Sequence, residues 1–183
     1  KNLRYELEKA IHIATTGRKG PVLLDIAMNV QRTDINPDEL FGYKDDVNPI
    51  EEKFDLTEIV DLFSKSKRPM VLLGAGCIGD EVQKHLENFI FNHEIPVVTS
   101  LMGRGAIDET YKYYIGMVGS YGNRCANIAI SQADLLIVLG SRLDTRQTGA
   151  KIDTFLKDGH IVHVDIDANE LKYHRIHGQK NVN

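Results

Sequence analysis

Apolar residues recur at three- and four-residue steps from Leu3 to Thr16, at Leu3, Leu7, Ala10, Ile11 and Ala14, and predict a helix with one buried stripe. Gly17 supplies the stop, and Arg18 and Lys19 are cations favoured near a helix C-terminus. After Gly20-Pro21 the pattern changes. Val22-Leu23-Leu24-Asp25-Ile26 is a short apolar run suited to a strand buried on both faces. One helix and one strand cannot enclose a core, so this pair is expected to dock on something else. From about Asn29 to Lys53 periodicity fades, and Asn36-Pro37-Asp38 and Asn48-Pro49 are turn signals. A connector of that length is unusual inside one compact domain. It divides the chain into 1–33, a linker at 34–55, and a second domain at 56–183.

From Asp55 onward the pattern is regular. Asp55 with Glu58 resembles a capping box opening a helix that buries Leu56, Ile59, Val60 and Phe63. Pro69 to Leu73 reads as a strand, and Gly74-Ala75-Gly76-Cys77-Ile78-Gly79 follows it. A helix near Asp80 to Asn92 buries Val82, Leu86, Phe89 and Ile90. Pro96 to Thr99 is a second strand and is followed by an irregular, glycine-containing stretch. Asn123 to Gln132 forms a helix with Ala126, Ala129 and Ile130 inward. Leu135 to Leu139 and Ile161 to Asp165 complete the strands. Uniformly apolar strands alternating with amphipathic helices give an α/β fold, a Rossmann-like parallel sheet flanked by helices on both faces.

Composition removes several classes of function. The chain has 183 residues, 42% hydrophobic and 26% charged, an ordinary globular balance that argues against disorder. Its net charge of −4 has no basic face, which excludes nucleic acid as the main partner. No apolar run approaches the roughly 18 residues of a membrane helix, and no signal-peptide pattern opens the chain. Cys77 and Cys125 form neither a CxxC nor a close pair, which fits a reducing cytoplasm. A first residue that is lysine and a polar end at Gly178 to Asn183 read as an excised piece.

In an open α/β sheet the ligand crevice lies outside the carboxyl ends of the strands. The residues there are Gly74-Ala75-Gly76, Ser100-Leu101-Met102-Gly103-Arg104-Gly105, the run Gly140 to Gly149, and Asp165-Ile166-Asp167. Glycines let a ligand approach the backbone, and helix N-terminal amides hold anions. Arg142 and Arg146 suit phosphate oxygens, and Asp144, Asp165 and Asp167 suit ribose hydroxyls or an adenine amino group. Together they suggest an anionic nucleotide lying across the strand ends.

Each signal also has a plainer reading. The GxGxxG can be only a tight strand-to-helix turn. The acid that an ordinary dinucleotide fold places about 20 positions on is replaced by Thr99-Ser100, which weakens an NAD-dependent oxidoreductase. The arginines can pair with Asp144 and Asp153. Asp165-Ile166-Asp167 has no third metal ligand nearby, and the HxxH of His174 and His177 stands alone. His163 reads as a core histidine, and Cys77 as packing.

Five ordered blocks carry a resemblance: Leu101 to Gly105, Ile115 to Gly119, Ala133 to Asp144, Arg146 to Gly149, and Ile161 to Asp167. They resemble the central (middle) domain of acetolactate synthase-like thiamine-diphosphate-dependent enzymes, over residues 56–183. Gly17 to Gln31 resembles the C-terminal end of that family's pyrimidine-binding domain, which places 1–33 there. The resemblance implies a nucleotide-binding middle domain holding FAD in a non-redox role, ADP, or nothing. Gly74, Ala75 and Gly76 would line the pyrophosphate. Ser100, Leu101 and Met102, with Gly116, Met117 and Val118, would run beside the flavin. Gly140, Ser141, Arg142, Asp144 and Arg146 would meet the ribityl and phosphate region, and Asp165, Ile166 and Asp167 the adenosine.

The parent implied is a lyase or transferase that forms or cleaves carbon–carbon bonds of a small-molecule 2-oxo acid with thiamine diphosphate and Mg2+. Those cofactors would be held by residues outside 1–183, in a homodimer or homotetramer with the remaining domains of the parent chain. The catalytic glutamate and the magnesium motif are absent from this sequence, so the piece alone is expected to be inactive. The competing reading is a stand-alone nucleotide-binding module without thiamine chemistry.

Overall fold

The computed structural model describes residues 2–45, 55–172, 176 and 180–182, the last three by their backbone. The chain divides into two units, Lys1–Lys53 and Phe54–Asn183.

In the first unit the apolar stripe forms helix α1, Leu3–Thr15. Its C-terminal carbonyls are covered from within, since the Thr15 and Thr16 hydroxyls donate to Ile11 O at 2.8 Å and His12 O at 2.6 Å. The segment ending at Asp45 returns to this helix. Tyr43 N donates to Glu8 Oε2 at 2.7 Å, and His12 Nε2 lies 3.2 Å from Asp45 Oδ2. A single helical turn, α2, spans Met28–Gln31. The strand expected at Val22 to Ile26 is not formed. That run is irregular, Leu23 is 92% exposed, and no described strand pairs with it. An apolar strand needs ladder partners and cover on both faces, and this unit provides neither among its described residues.

The second unit is a parallel sheet. Helix α3, Thr57–Lys65, leads to β1, Pro69–Leu73. Helix α4, Asp80–Asn92, is followed by β2, Val97–Thr99, and β3, Tyr114–Met117. Helix α5, Arg124–Gln132, precedes β4, Leu135–Leu139, and the short α6, Thr145–Thr148. Then come β5, His160–Val164, α7, Ala168–Lys172, and β6, Lys180–Val182. The strands lie in the order β3-β2-β1-β4-β5-β6 and every pairing is parallel. That is the doubly wound order of a dinucleotide fold.

Alternation along the strands builds a core on each face. Met70, Leu72, Val98, Leu136 and Val138 face Ala126 and Ile130 of α5. Val71, Leu73, Val97, Leu135 and Ile137 face Ile90 of α4, with Ile59, Leu62 and Phe63 of α3 packed against them. Three details differ from the expected helix faces. Leu56 and Val60 are 49% and 62% exposed. The inward stripe of α3 is Ile59–Leu62–Phe63, and Val60, about 100° round from Ile59, must face away. Asp55 does not cap as the box pattern predicts. The N-cap position is Leu56, and the Asp55 carboxylate accepts from Thr57 N at 3.0 Å. Val82, 45% exposed in the first turn of α4, lies one turn before the stripe that reaches the sheet.

Candidate functional site

Strands β1 and β4 are neighbours at the centre of the sheet, and the chain leaves them toward opposite faces. The loops after them therefore diverge, which is where ligands bind in such folds. Here the two loops first touch, backbone on backbone. Gly74 N donates to Leu139 O at 2.9 Å and Gly76 N to Gly140 O at 3.1 Å. A Cβ on Gly74 would stand 2.0 Å from Gly140 O, and one on Gly76 would stand 2.9 Å from Gly140 Cα. Gly140 has φ +56°, the left-handed region that favours glycine. The β2 loop closes in from the other side. Ser100 N donates to Leu73 O at 2.9 Å, the Ser100 hydroxyl accepts from Gly103 N at 3.0 Å, and a Cβ on Gly103 would meet Leu73 O at 2.2 Å.

The loop after β4 is held from below and from within. His163 is fully buried on β5 and its Nε2–H donates to Ser141 O at 2.7 Å. The Ser141 hydroxyl donates to Gln147 Oε1 at 2.8 Å. Leu143, at φ +49°, buries its side chain and turns the chain so that Asp144 can cap α6. Asp144 Oδ1 accepts from Arg146 N at 2.9 Å and from Gln147 N at 3.2 Å. The other oxygen, Oδ2, lies 3.7 Å from Arg142 Nη2. Arg142 and Arg146 are both exposed on this loop.

At the end of β5, Asp165 Oδ1 accepts from Asp167 N and Asp167 Oδ1 from Asn169 N, each at 2.9 Å. After β3, Val118 N donates to Thr99 O at 2.9 Å, and Gly116, at φ +121°, leaves room for the Asn123 amide that receives Met117 N at 3.1 Å.

The residues singled out from sequence thus fall into two groups. Ala75, Gly76, Leu101, Met102, Arg142, Arg146 and Ile166 present themselves to solvent, and Met117, Gly140, Asp144, Asp165 and Asp167 do so in part. Leu101, Met102 and Ile166 are 55%, 71% and 66% exposed, apolar side chains left open to solvent after β2 and β5. Gly74, Ser100, Gly116, Val118 and Ser141 are buried. Their contribution is to the shape of the loops, and the Val118 side chain lies in the α5-side core. The loop after β3 interlocks with that after β4: Gly119, at φ +101°, packs on Arg146 O, and Ser120 N donates to that oxygen at 2.8 Å.

The loops at this edge differ in what they offer an anion. In the β1 loop the amides of Gly74, Gly76, Cys77 and Ile78 are all bonded within the protein. The start of α4 has no side-chain cap but carries Asp80 and Glu81, which oppose an anion. Positive charge comes instead from Arg142 and Arg146. The β1 loop therefore offers close backbone approach, and the β4 loop carries the positive charge.

Cys77 is held as a buried, protonated thiol. Burial pushes the Cys77 thiol up to about 11, against the backbone contact with Gly74, and its Sγ lies 3.1 Å from Leu139 O. Among the described residues no group of three or more His, Cys, Asp or Glu could hold a metal ion. His174 and His177 lie outside the described residues. No described helix is long and apolar enough to cross a membrane. Sequence reasoning missed the Gln147–Ser141–His163 chain that fixes the β4 loop. A lone histidine within an apolar strand was its one visible sign.

Residues 56–180 match the family described as thiamine pyrophosphate enzyme, central domain. An acetolactate synthase large subunit of Corynebacterium glutamicum is 38% identical over 170 residues, 90% of this chain and 27% of the relative. An acetolactate synthase of Mycobacterium bovis is 38% identical over 174 residues, 92% of this chain and 28% of the relative. The chloroplastic acetolactate synthase 2 of Nicotiana tabacum is 35% identical over 170 residues, 90% of this chain and 25% of the relative. The chain spans about a quarter of the length of these curated relatives.

Proposed function

The chain belongs to the thiamine pyrophosphate enzyme family, with its central domain over residues 56–180, and on that premise we propose that it is the nucleotide-holding middle part of an acetolactate synthase-like enzyme. The observation that carries the nucleotide reading is the crossing of Gly74–Gly76 over Gly140, with the exposed Arg142 and Arg146 on the loop that Gly140 opens. The ligand is an adenine nucleotide diphosphate, FAD or ADP. Arg142 and Arg146 hold its phosphates, Asp165 and Asp167 border the adenosine, and Leu101, Met102 and Ile166 cover its flat rings. Gly74, Ser100, Gly116, Val118 and Ser141 shape these loops. The role of the domain is to bind and orient the nucleotide.

In the parent enzyme, thiamine diphosphate with Mg2+ supplies the chemistry that makes or breaks the carbon–carbon bond next to the carbonyl of a 2-oxo acid. Residues beyond 1–183 hold both. The parent works as a homodimer or homotetramer in a reducing cytoplasm, a setting that suits the free thiols of Cys77 and Cys125.

Titration of the chain with ADP and with FAD, followed by calorimetry, tests the nucleotide reading. Saturable binding is expected, weakened about tenfold by Arg142→Ala with Asp144→Ala, the loss expected for one charge-assisted hydrogen bond. No uptake of either nucleotide overturns it, and unchanged affinity in the variant places the ligand elsewhere. For the parent, turnover of pyruvate that depends on added thiamine diphosphate is expected. Cofactor-independent turnover, or none with any 2-oxo acid, counts against the acetolactate synthase-like assignment.

A further inference from the structure

A separate hollow of about 310 Å³ lies on the α5 side of the sheet. It is bounded by Gly119 and Ser120 after β3, by α5, by Gln147 to Gly149, and by Thr154 to Leu156. Three of its eleven lining residues, Gln147, Thr148 and Gly149, close the loop after β4 that carries Arg142 and Arg146, and the other eight lie outside the edge proposed for the nucleotide. Its size is at the lower end of the range for small-molecule sites.

The lining has an unusual polarity. Four hydroxyls border it, and each already donates its hydrogen to a backbone carbonyl. Ser120 donates to Arg146 O at 3.3 Å, Ser131 to Ile128 O at 2.7 Å, Thr148 to Asp144 O at 3.1 Å, and Thr154 to Lys151 O at 2.7 Å. A hydroxyl has one hydrogen and two lone pairs, so Ser120, Ser131 and Thr154 offer acceptors. Asn127 is committed on both atoms: its Oδ1 accepts from Gly119 N at 2.9 Å, and its Nδ2 donates to Gly119 O at 3.1 Å. Gln147 accepts through Oε1 from Ser141, which leaves its Nε2 as the side-chain donor of the lining. Ile130, Phe155 and Leu156 make the apolar wall, and Ile130 and Leu156 belong to the buried core. No lining residue carries a charge. An ion would therefore leave water without a counter-charge, whereas a neutral group with N–H donors would not.

We propose that this hollow is a binding site for an uncharged small molecule that carries a primary amide on a compact apolar body. The amide N–H groups meet the hydroxyl oxygens, its carbonyl meets Gln147 Nε2, and the apolar body lies on Ile130, Phe155 and Leu156. The inference does not depend on what occupies the sheet edge.

Three probes of one ring size test it on the isotopically labelled chain: benzamide, methyl benzoate and benzoate, each followed through the backbone amide resonances. Benzamide is expected to shift Gly119, Ser120, Ser131 and Gly149 saturably, and to bind about fivefold or more tightly than either ester or anion. Ser131→Ala with Thr154→Val, both at exposed positions, is expected to weaken benzamide about fivefold. Excess ADP should leave benzamide binding unchanged. The proposal is overturned by no saturable shift up to about 10 mM, the weak end of measurable affinity. It is equally overturned by a response to methyl benzoate equal to that of benzamide, or by displacement of benzamide by ADP. The comparison of probes on the unaltered chain decides the matter even if the double variant fails to fold.

Discussion

The carbonyl oxygen of Gly140 lies 2.0 Å from where a Cβ of Gly74 would stand. No side chain, however small, fits between these two loops. Strand β1 and strand β4 also exchange ladder bonds along Pro69–Leu73 and Leu135–Leu139, so the contact continues the sheet beyond its regular end.

Gly74→Ala should therefore be destabilising, by about 1–3 kcal/mol, the usual cost of forcing extra volume into a packed site. Gly76→Ala, whose Cβ would stand 2.9 Å from Gly140 Cα, should cost less. Urea unfolding of both variants against the parent chain checks the order, and equal stability of Gly74→Ala and the parent would contradict the geometry.

Asp134 ties the end of α3 to the start of β4. Its carboxylate accepts from the Ser66 hydroxyl, from Lys67 N at 2.8 Å and from Arg68 N at 3.0 Å. Desolvation pushes its pKa up, but those hydrogen bonds and the Arg68 charge outweigh it and hold the carboxyl below the usual carboxylate value. A folded-state value below the unfolded one means stabilisation that is complete above about pH 4 and fades as pH falls through the folded value. Asp134→Asn should flatten the acid limb of the stability curve between about pH 2 and 4. Asp134→Ala should cost about 1–3 kcal/mol at pH 7, because two backbone amides lose their acceptor. Denaturant melts across pH measure both.

Asp144 has two tasks that substitution can separate. As the N-cap of α6 it receives two backbone amides, and Asp144→Ala should cost about 1 kcal/mol. Asp144→Ser keeps a capping oxygen and should cost only a few tenths. Both remove the carboxylate that lies 3.7 Å from Arg142. If ADP affinity follows the cap, Ala and Ser variants will differ; if it follows the carboxylate, they will match.

The two thiols should differ in reactivity. Cys77 is buried, with its thiol pushed up to about 11, while Cys125 is exposed on α5. At pH 8 a disulfide reagent should label one thiol of the folded chain and two after denaturation. Cys125→Ser should abolish the native labelling, and labelling that persists would show that Cys77 is reached.

How much could be read in advance depended on how much of each signal was local. Pro69–Leu73 and Leu135–Leu139 were legible to the residue, because an uninterrupted apolar run bounded by breakers has few other fates in an alternating α/β chain. Tyr114–Met117 was not. Gly116 interrupts it, and it is a strand only because β2 supplies a ladder, with a register shift at Val97 and Val98. Val22 to Ile26 failed the opposite way, since its apolar pattern is genuine but its partners are not among the described residues. At the carboxyl edge the glycines were legible as close-approach positions. Their mutual contact was not, because Gly74 and Gly140 are brought together only by the strand order. The inward or outward sense of Val118 and Ser141 follows from the same tertiary pairing and has no sequence period of its own.

Strand order has a dynamic corollary. The outermost strands, β3 and β6, can fray and re-form without disturbing the β1–β4 contact, which lies innermost. Gly74 N and Gly140 N are bonded to Leu139 O and Val164 O at 2.9 Å, so their protons should trade with deuterated solvent only when the whole sheet melts. A guest arriving at this mouth finds it already shaped and has little of the protein left to order.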